Sequence, residues 1–155
     1  MDAQRVFAVL AALQVEGVRY KVVGGVALNL IGLPRATQDL DLFVASDEQN
    51  VARLRAALHA VFDDPEIDQI SAADLAGAYP AIQYVPPDGD FHIDILSKLG
   101  ERYCYEEIET ENRLVEGLAV PVATPRMLYR MKKDTVRLQD RADASRIARY
   151  FEVEE

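Results

Sequence analysis

Apolar positions along the chain change their period several times, and each change marks an element. Val6, Leu10, Leu13 and Val15 suggest a helix over residues 3–15, which Gly17 ends. YKVV at 20–23 reads as a short buried strand that runs straight into Gly24 and Gly25. VALNLIGL then has helical spacing and stops near Gly32 and Pro34. DLDLFV at 39–44 alternates with period two and predicts a strand. Ser46 with Gln49 three residues on is a capping-box signature, so a helix is expected over 47–62, burying Val51, Leu54, Leu58 and Val61. Ser71 is expected to cap a short helix reaching about residue 76. AIQYV and FHIDIL flank the turn-rich PPDGD and suit a hairpin; RLVE and LAVPVA around Glu116-Gly117 read as a weaker second one. Thr124 followed by Pro125 predicts an N-cap and first helical residue, with the helix running to about 138. Asp140 is expected to cap a last helix ending near 151.

This order predicts an α/β (α+β) fold: a small mixed sheet flanked by helices, with further helices at the C-terminus. A length of 155 residues suits one domain, with a core over about 1–122 and a helical segment over about 124–152. No run approaches the ~20 apolar residues of a membrane helix. The N-terminus is acidic, lacks a basic leader region and has no small-residue cleavage site. A cytoplasmic protein without membrane contact is therefore expected.

Charge and cysteine content narrow the chemistry. Cys104 is the only cysteine, which excludes a disulfide or a cysteine-built zinc site within one chain. The formal charge of −9 is uneven: residues 1–125 hold 9 Lys and Arg against 20 Asp and Glu, residues 126–155 hold 8 against 6. The acidic body argues against broad DNA or other non-specific nucleic-acid binding. The more basic C-terminal segment could hold phosphates of a small ligand or a local RNA segment, or consist of solvated helix faces.

The candidate chemistry centres on carboxylates. GGVAL does not complete a dinucleotide fingerprint, and no Walker loop is present. Residues two apart on a strand share a face, so Asp39 and Asp41 stand side by side with Phe43 beyond them. Leu40, Leu42 and Val44 then point the other way. Asp94 in FHIDIL repeats the design, with His92 on its face and Phe91, Ile93 and Ile95 opposite. If the two strands are neighbours, three carboxylates converge. Neighbouring carboxylates repel, and a divalent ion relieves that repulsion. Hard oxygen ligands favour Mg²⁺ or Mn²⁺ over zinc. Spacing alone leaves open a polar, solvated sheet face. Gly24 and Gly25, between a strand and a helix, add a turn at which backbone N–H groups can approach a phosphate.

With these residues in place the sequence resembles the nucleotidyltransferase superfamily that includes DNA polymerase beta and the kanamycin and lincosamide nucleotidyltransferases. The shared pattern is a Gly-Gly or Gly-Ser turn, Asp-x-Asp on the next strand, and a third Asp on a later strand. Gly24, Gly25, Asp39, Asp41 and Asp94 match it. The abortive-infection toxin branch is more similar still. Arg35, Thr37, Asp39 and Asp41 fill its Arg-x-Thr/Ser-x-Asp-hydrophobic-Asp motif. Its C-terminal Lys, Arg and Asp-x-x-Asp are matched by Lys132, Arg137, Asp140 and Asp143, with Lys133 an alternative lysine. Many toxins of this branch are about twice as long, so the chain reads as a minimal core.

The resemblance implies transfer of a nucleoside monophosphate from an NTP, with ATP the expected donor, to a hydroxyl acceptor on a protein, an RNA or a small molecule. It implies two divalent ions on Asp39 and Asp41, with Asp94 completing one site and serving or positioning the base. Gly24, Gly25, Lys132 and Arg137 are the implied triphosphate contacts. Arg35 would bind phosphate or pair with an aspartate, and Thr37 would orient its loop. A toxin–antitoxin or stress role is implied, with a cognate partner encoded in the same operon. Competing readings are a non-catalytic, nucleotide- or partner-binding, antitoxin-like module on the same fold, and a metal-dependent phosphodiesterase or nuclease. His92, two residues before Asp94 on the same face, reads as a half-buried strand residue, with a role as an outer partner of the site the alternative; His59 reads as solvent-facing and Cys104 as a part-buried thiol.

Overall fold

The structure, a computed structural model, describes residues 3–33, 37, 39–78, 81–87, 91–99, 103–132 and 138–152. The first half of the chain holds α1 (Ala3–Val15), β1 (Tyr20–Val23), α2 (Gly24–Leu30), β2 (Asp39–Val44) and α3 (Glu48–Val61). The second holds β3 (Ala81–Tyr84), β4 (His92–Leu96), the two-residue strands β5 (Lys98–Leu99) and β6 (Tyr103–Cys104), β7 (Thr110–Val115) and β8 (Leu118–Ala123). Helices α4 (Pro125–Lys132) and α5 (Leu138–Phe151) follow. Six strands form one mixed sheet in the order β3-β4-β2-β1-β8-β7, and β5 pairs with β6 separately.

Side-chain alternation decides the sheet's two faces. Leu40, Leu42 and Val44 of β2 and Ile93 and Ile95 of β4 are buried on one of them. They join Val9, Leu10 and Leu13 of α1 and Leu54 and Leu58 of α3 in one core, with α1 packed on α3. Each such side chain contributes about 1.5–3 kcal/mol by leaving water. Phe43, on the carboxylate face, is also buried, so that face is open only beyond it. Parallel pairing of β2 with β4, and antiparallel pairing of β2 with β1, put β2 in the middle of the sheet.

Several local expectations are corrected. The cap of α3 is Asp47, whose carboxylate accepts from the Asn50 N–H at 2.9 Å; Ser46 lies one residue too early to reach it. Asn50, fully inside, accepts from Arg19 N–H at 2.7 Å and donates to the carbonyls of Arg19 and Ala45 at 3.0 and 2.7 Å. It thereby satisfies the loop ends of β1 and β2. Asp140 is itself helical within α5, described from Leu138, so it does not cap that helix. Helix α4 is described as far as Lys132, the rest of its expected span to 138 lying outside the described residues, and Thr124 Oγ1 caps it as expected, accepting from Met127 N–H at 3.2 Å. Ser71 caps as expected, accepting from Asp74 N–H at 3.1 Å, and the turn that follows widens to π geometry over Asp74–Ala78. The β7–β8 hairpin is the longer one, six residues a side, and both Glu116 (φ 49°) and Gly117 (φ 84°) sit in the left-handed region as a type I′ turn requires. No helix among the described residues is long and apolar enough to cross a membrane.

Candidate active site

The site begins where β1 ends. Gly24 has φ +70°, a conformation that other residues adopt only with strain. It also has no side chain where one would collide: a Cβ there would lie 1.8 Å from Asp41 Oδ2 and 2.7 Å from its Cγ. The first glycine of the pair therefore makes room for a carboxylate. Gly25 follows, buried, in the first turn of α2.

Register brings the carboxylates together. Asp41 pairs with Asp94 across the parallel β2–β4 ladder, and His92 pairs with Asp39. The condition that these strands be neighbours is met. One carboxylate oxygen from each of Asp39, Asp41 and Asp94 lies within 4.8 Å of the others, with all three side chains partly buried. Asp41 carries the strongest electrostatic burden. Burial, a hydrogen bond and charge repulsion from Asp94, and the charge of Asp39 together push its carboxyl up to about 7. The ammonium of Lys132 acts in the opposite direction.

Two further groups hold Asp39. The Thr37 hydroxyl accepts from Asp39 N–H and donates to Asp39 C=O, both at 3.2 Å, so it pins the backbone at the strand's start. His92 Nε2 lies 2.7 Å from Asp39 Oδ1. The alternation of FHIDIL placed His92 on the carboxylate face and left a role beside the site open; the register names Asp39 as the carboxylate it meets.

Lys132, the last residue of α4, is buried, and its Nζ is 3.4 Å from Oδ2 of the fully buried Asp143 on α5. The pair links the two C-terminal helices, and its Lys132 is the cation that acts on Asp41. Asp143 was legible only as a member of the Asp-x-x-Asp motif. Arg35, Lys133 and Arg137 lie outside the described residues, as does the side chain of Asp140. His59 is not merely solvated: its Nε2 is 2.8 Å from Asp68. The Cys104 thiol meets Glu107 at 3.0 Å, a contact that raises its pKa and disfavours the thiolate.

The donor set fits a hard divalent cation. It consists of oxygen ligands only, one of them pushed toward protonation by its neighbours, and Asp39 Oδ1 is buried without a well-aligned hydrogen bond. A glycine turn opening a helix, Asp-x-Asp on the adjoining strand and a third Asp on its parallel neighbour define a nucleotidyltransferase. The chain belongs to the family described as nucleotidyl transferase AbiEii toxin, Type IV TA system, whose model matches residues 9–147.

Solved structures share the fold. TM1012 from Thermotoga maritima, a proposed nucleotidyltransferase, superposes with a TM-score of 0.54 at 13% identity, covering 96% of this chain and 91% of that one. ANT(2'')-Ia, solved in complex with adenylyl-2''-tobramycin, gives 0.55 at 14% identity over 97% and 90%. JHP933 from Helicobacter pylori gives 0.53 at 16% identity, over 96% of this chain and 65% of that one. No curated protein sequence matches the chain.

Proposed function

We propose that the protein moves a nucleoside monophosphate from an NTP, ATP in the first instance, to a hydroxyl acceptor, using Mg²⁺ or Mn²⁺. The observation that carries this reading is the three-carboxylate cluster on adjacent parallel strands. Asp39 and Asp41 would hold the metal, and Asp94 would complete one site. When bound, the divalent ions neutralise charge on the attacking and leaving oxygens of phosphoryl transfer.

The protein's own groups do the positioning. Thr37 holds the backbone of Asp39, and Gly24 lets Asp41 swing close to the turn. Asp94, hydrogen-bonded to Asp41, is the group assigned to receive or direct the acceptor's proton. Lys132, held by Asp143, is the assigned cation for the phosphates, and the backbone amides of Gly24 and Gly25 are further phosphate contacts. Arg35 and Arg137 are assigned to the same nucleotide. The acceptor is a protein, an RNA or a small molecule. The family supports a toxin–antitoxin setting, and a cytoplasmic location with a cognate partner belongs to the same reading.

The test uses an NTP labelled at the α-phosphate, incubated with the protein, Mg²⁺ and cell extract. Label is expected to appear on one acceptor class, and Asp39→Ala or Asp41→Ala is expected to abolish both transfer and metal binding. Wild-type transfer by either variant overturns the assignment.

A further inference from the structure

A carboxylate at the rim of a metal site must be aimed, because rotation about its Cα–Cβ bond carries its oxygens away from the ion. Asp39 is such a group: its side chain is 39% exposed, the first residue of its strand. Two neighbours restrain it. Thr37 grips its backbone from both sides, and His92 meets its carboxylate.

The second contact follows from register. His92 and Asp39 are paired on adjacent parallel strands, so their side chains leave the same face about 4.8 Å apart. The imidazole Nε2 reaches to 2.7 Å from Oδ1. That oxygen is buried and takes no well-aligned hydrogen bond among the described residues, so the imidazole is the polar group that meets it. His92 does not belong to the group whose ligand atoms lie within 4.8 Å of one another; that group is Asp39, Asp41 and Asp94. It touches the cluster through one carboxylate only.

We propose that His92 is a positioning residue for the metal site: its imidazole holds Asp39 Oδ1 so that the other oxygen is presented to the cation. The inference rests on the reading of Asp39 as a metal ligand. Ligating carboxylates are commonly oriented by such outer partners, and losing one typically costs about 10–100-fold in metal affinity. Alanine at 92 leaves the backbone grip of Thr37 intact and frees only the carboxylate.

The probe is Mn²⁺, whose free concentration is read by electron paramagnetic resonance during titration of the purified, metal-free protein. His92→Ala is expected to weaken Mn²⁺ binding about 10–100-fold. His92→Gln, whose amide N–H can donate from nearly the same position, is expected to recover most of it. The metal-free melting temperature is read alongside. A packing role predicts equal losses in both variants and a matching fall in melting temperature, and that result overturns the proposal. Wild-type Mn²⁺ affinity in His92→Ala overturns it too, while leaving the metal reading of Asp39 intact. Absence of Mn²⁺ binding by the wild type removes both.

Discussion

Replacing Gly24 by alanine tests the packing of the turn against the carboxylates. Two costs arise, and they are separable. The first is backbone strain: φ is +70°, and an L-residue in the left-handed region loses about 1–2 kcal/mol. The second is steric. The new Cβ would stand 1.8 Å from Asp41 Oδ2, 2.7 Å from its Cγ and 3.0 Å from its Cβ, against an ordinary contact of 3.4 Å or more, so the whole side chain must shift, its carboxylate by well over an ångström. A displacement of about 1 Å in a reacting geometry can lower a rate ~100-fold. Gly24→Ala is therefore expected to unfold about 1–2 kcal/mol more easily and to lose transfer activity by ~100-fold or more. Gly117→Ala is the control. It has φ +84°, sits in the β7–β8 turn, and a Cβ there meets nothing within 4 Å. It pays the strain without touching Asp41. Denaturant titration and label transfer are measured on both variants. Wild-type transfer by Gly24→Ala, or an equal loss in Gly117→Ala, refutes the claim that this glycine exists to admit the carboxylate.

Three other outcomes are expected. Metal-free protein should lose stability as pH rises from about 4 to about 7, because the folded state keeps a proton on Asp41 that the unfolded chain has released. The ceiling is about 4 kcal/mol, the Asp41–Asp94 pair titrating together; Asp41→Asn or added Mg²⁺ should flatten the profile, and a wild-type profile identical to that of Asp41→Asn would contradict it. Lys132→Ala removes the cation 3.4 Å from the fully buried Asp143 and should cost about 3–5 kcal/mol by denaturant titration, part of it regained by adding Asp143→Asn; a cost below ~1 kcal/mol would count against a structural pair. Asn50→Ala strips three hydrogen bonds from the backbone of Arg19 and Ala45 and should destabilise by about 3 kcal/mol with little effect on metal affinity.

Much of this architecture is legible in the one-dimensional pattern. Alternation in DLDLFV and FHIDIL gave both strands and the faces their aspartates take, because pleating leaves no other choice once the leucines and isoleucines are buried. Local rules misjudged the ends of elements. Asp47 outcompeted Ser46 as a cap by the reach of one carboxylate, and Asp140 proved to be inside α5. Local rules also undervalued the β7–β8 hairpin, whose solvent-facing strand carries charged residues such as Glu111 and Arg113 that weaken its apolar signature.

What the sequence alone determined about this protein is the inventory: which strands exist, which face each aspartate takes, and a motif order that marks the nucleotidyltransferases. These follow from periodicity, a property of neighbouring residues. Tertiary structure decided which strand lies beside which, and therefore that Asp41 meets Asp94 and Asp39 meets His92. It also decided that Gly24 lacks a side chain because Asp41 occupies that space, and that Lys132 closes on Asp143 across two helices. Those contacts join residues far apart in the chain, and their energies depend on burial and distance, which no local pattern encodes.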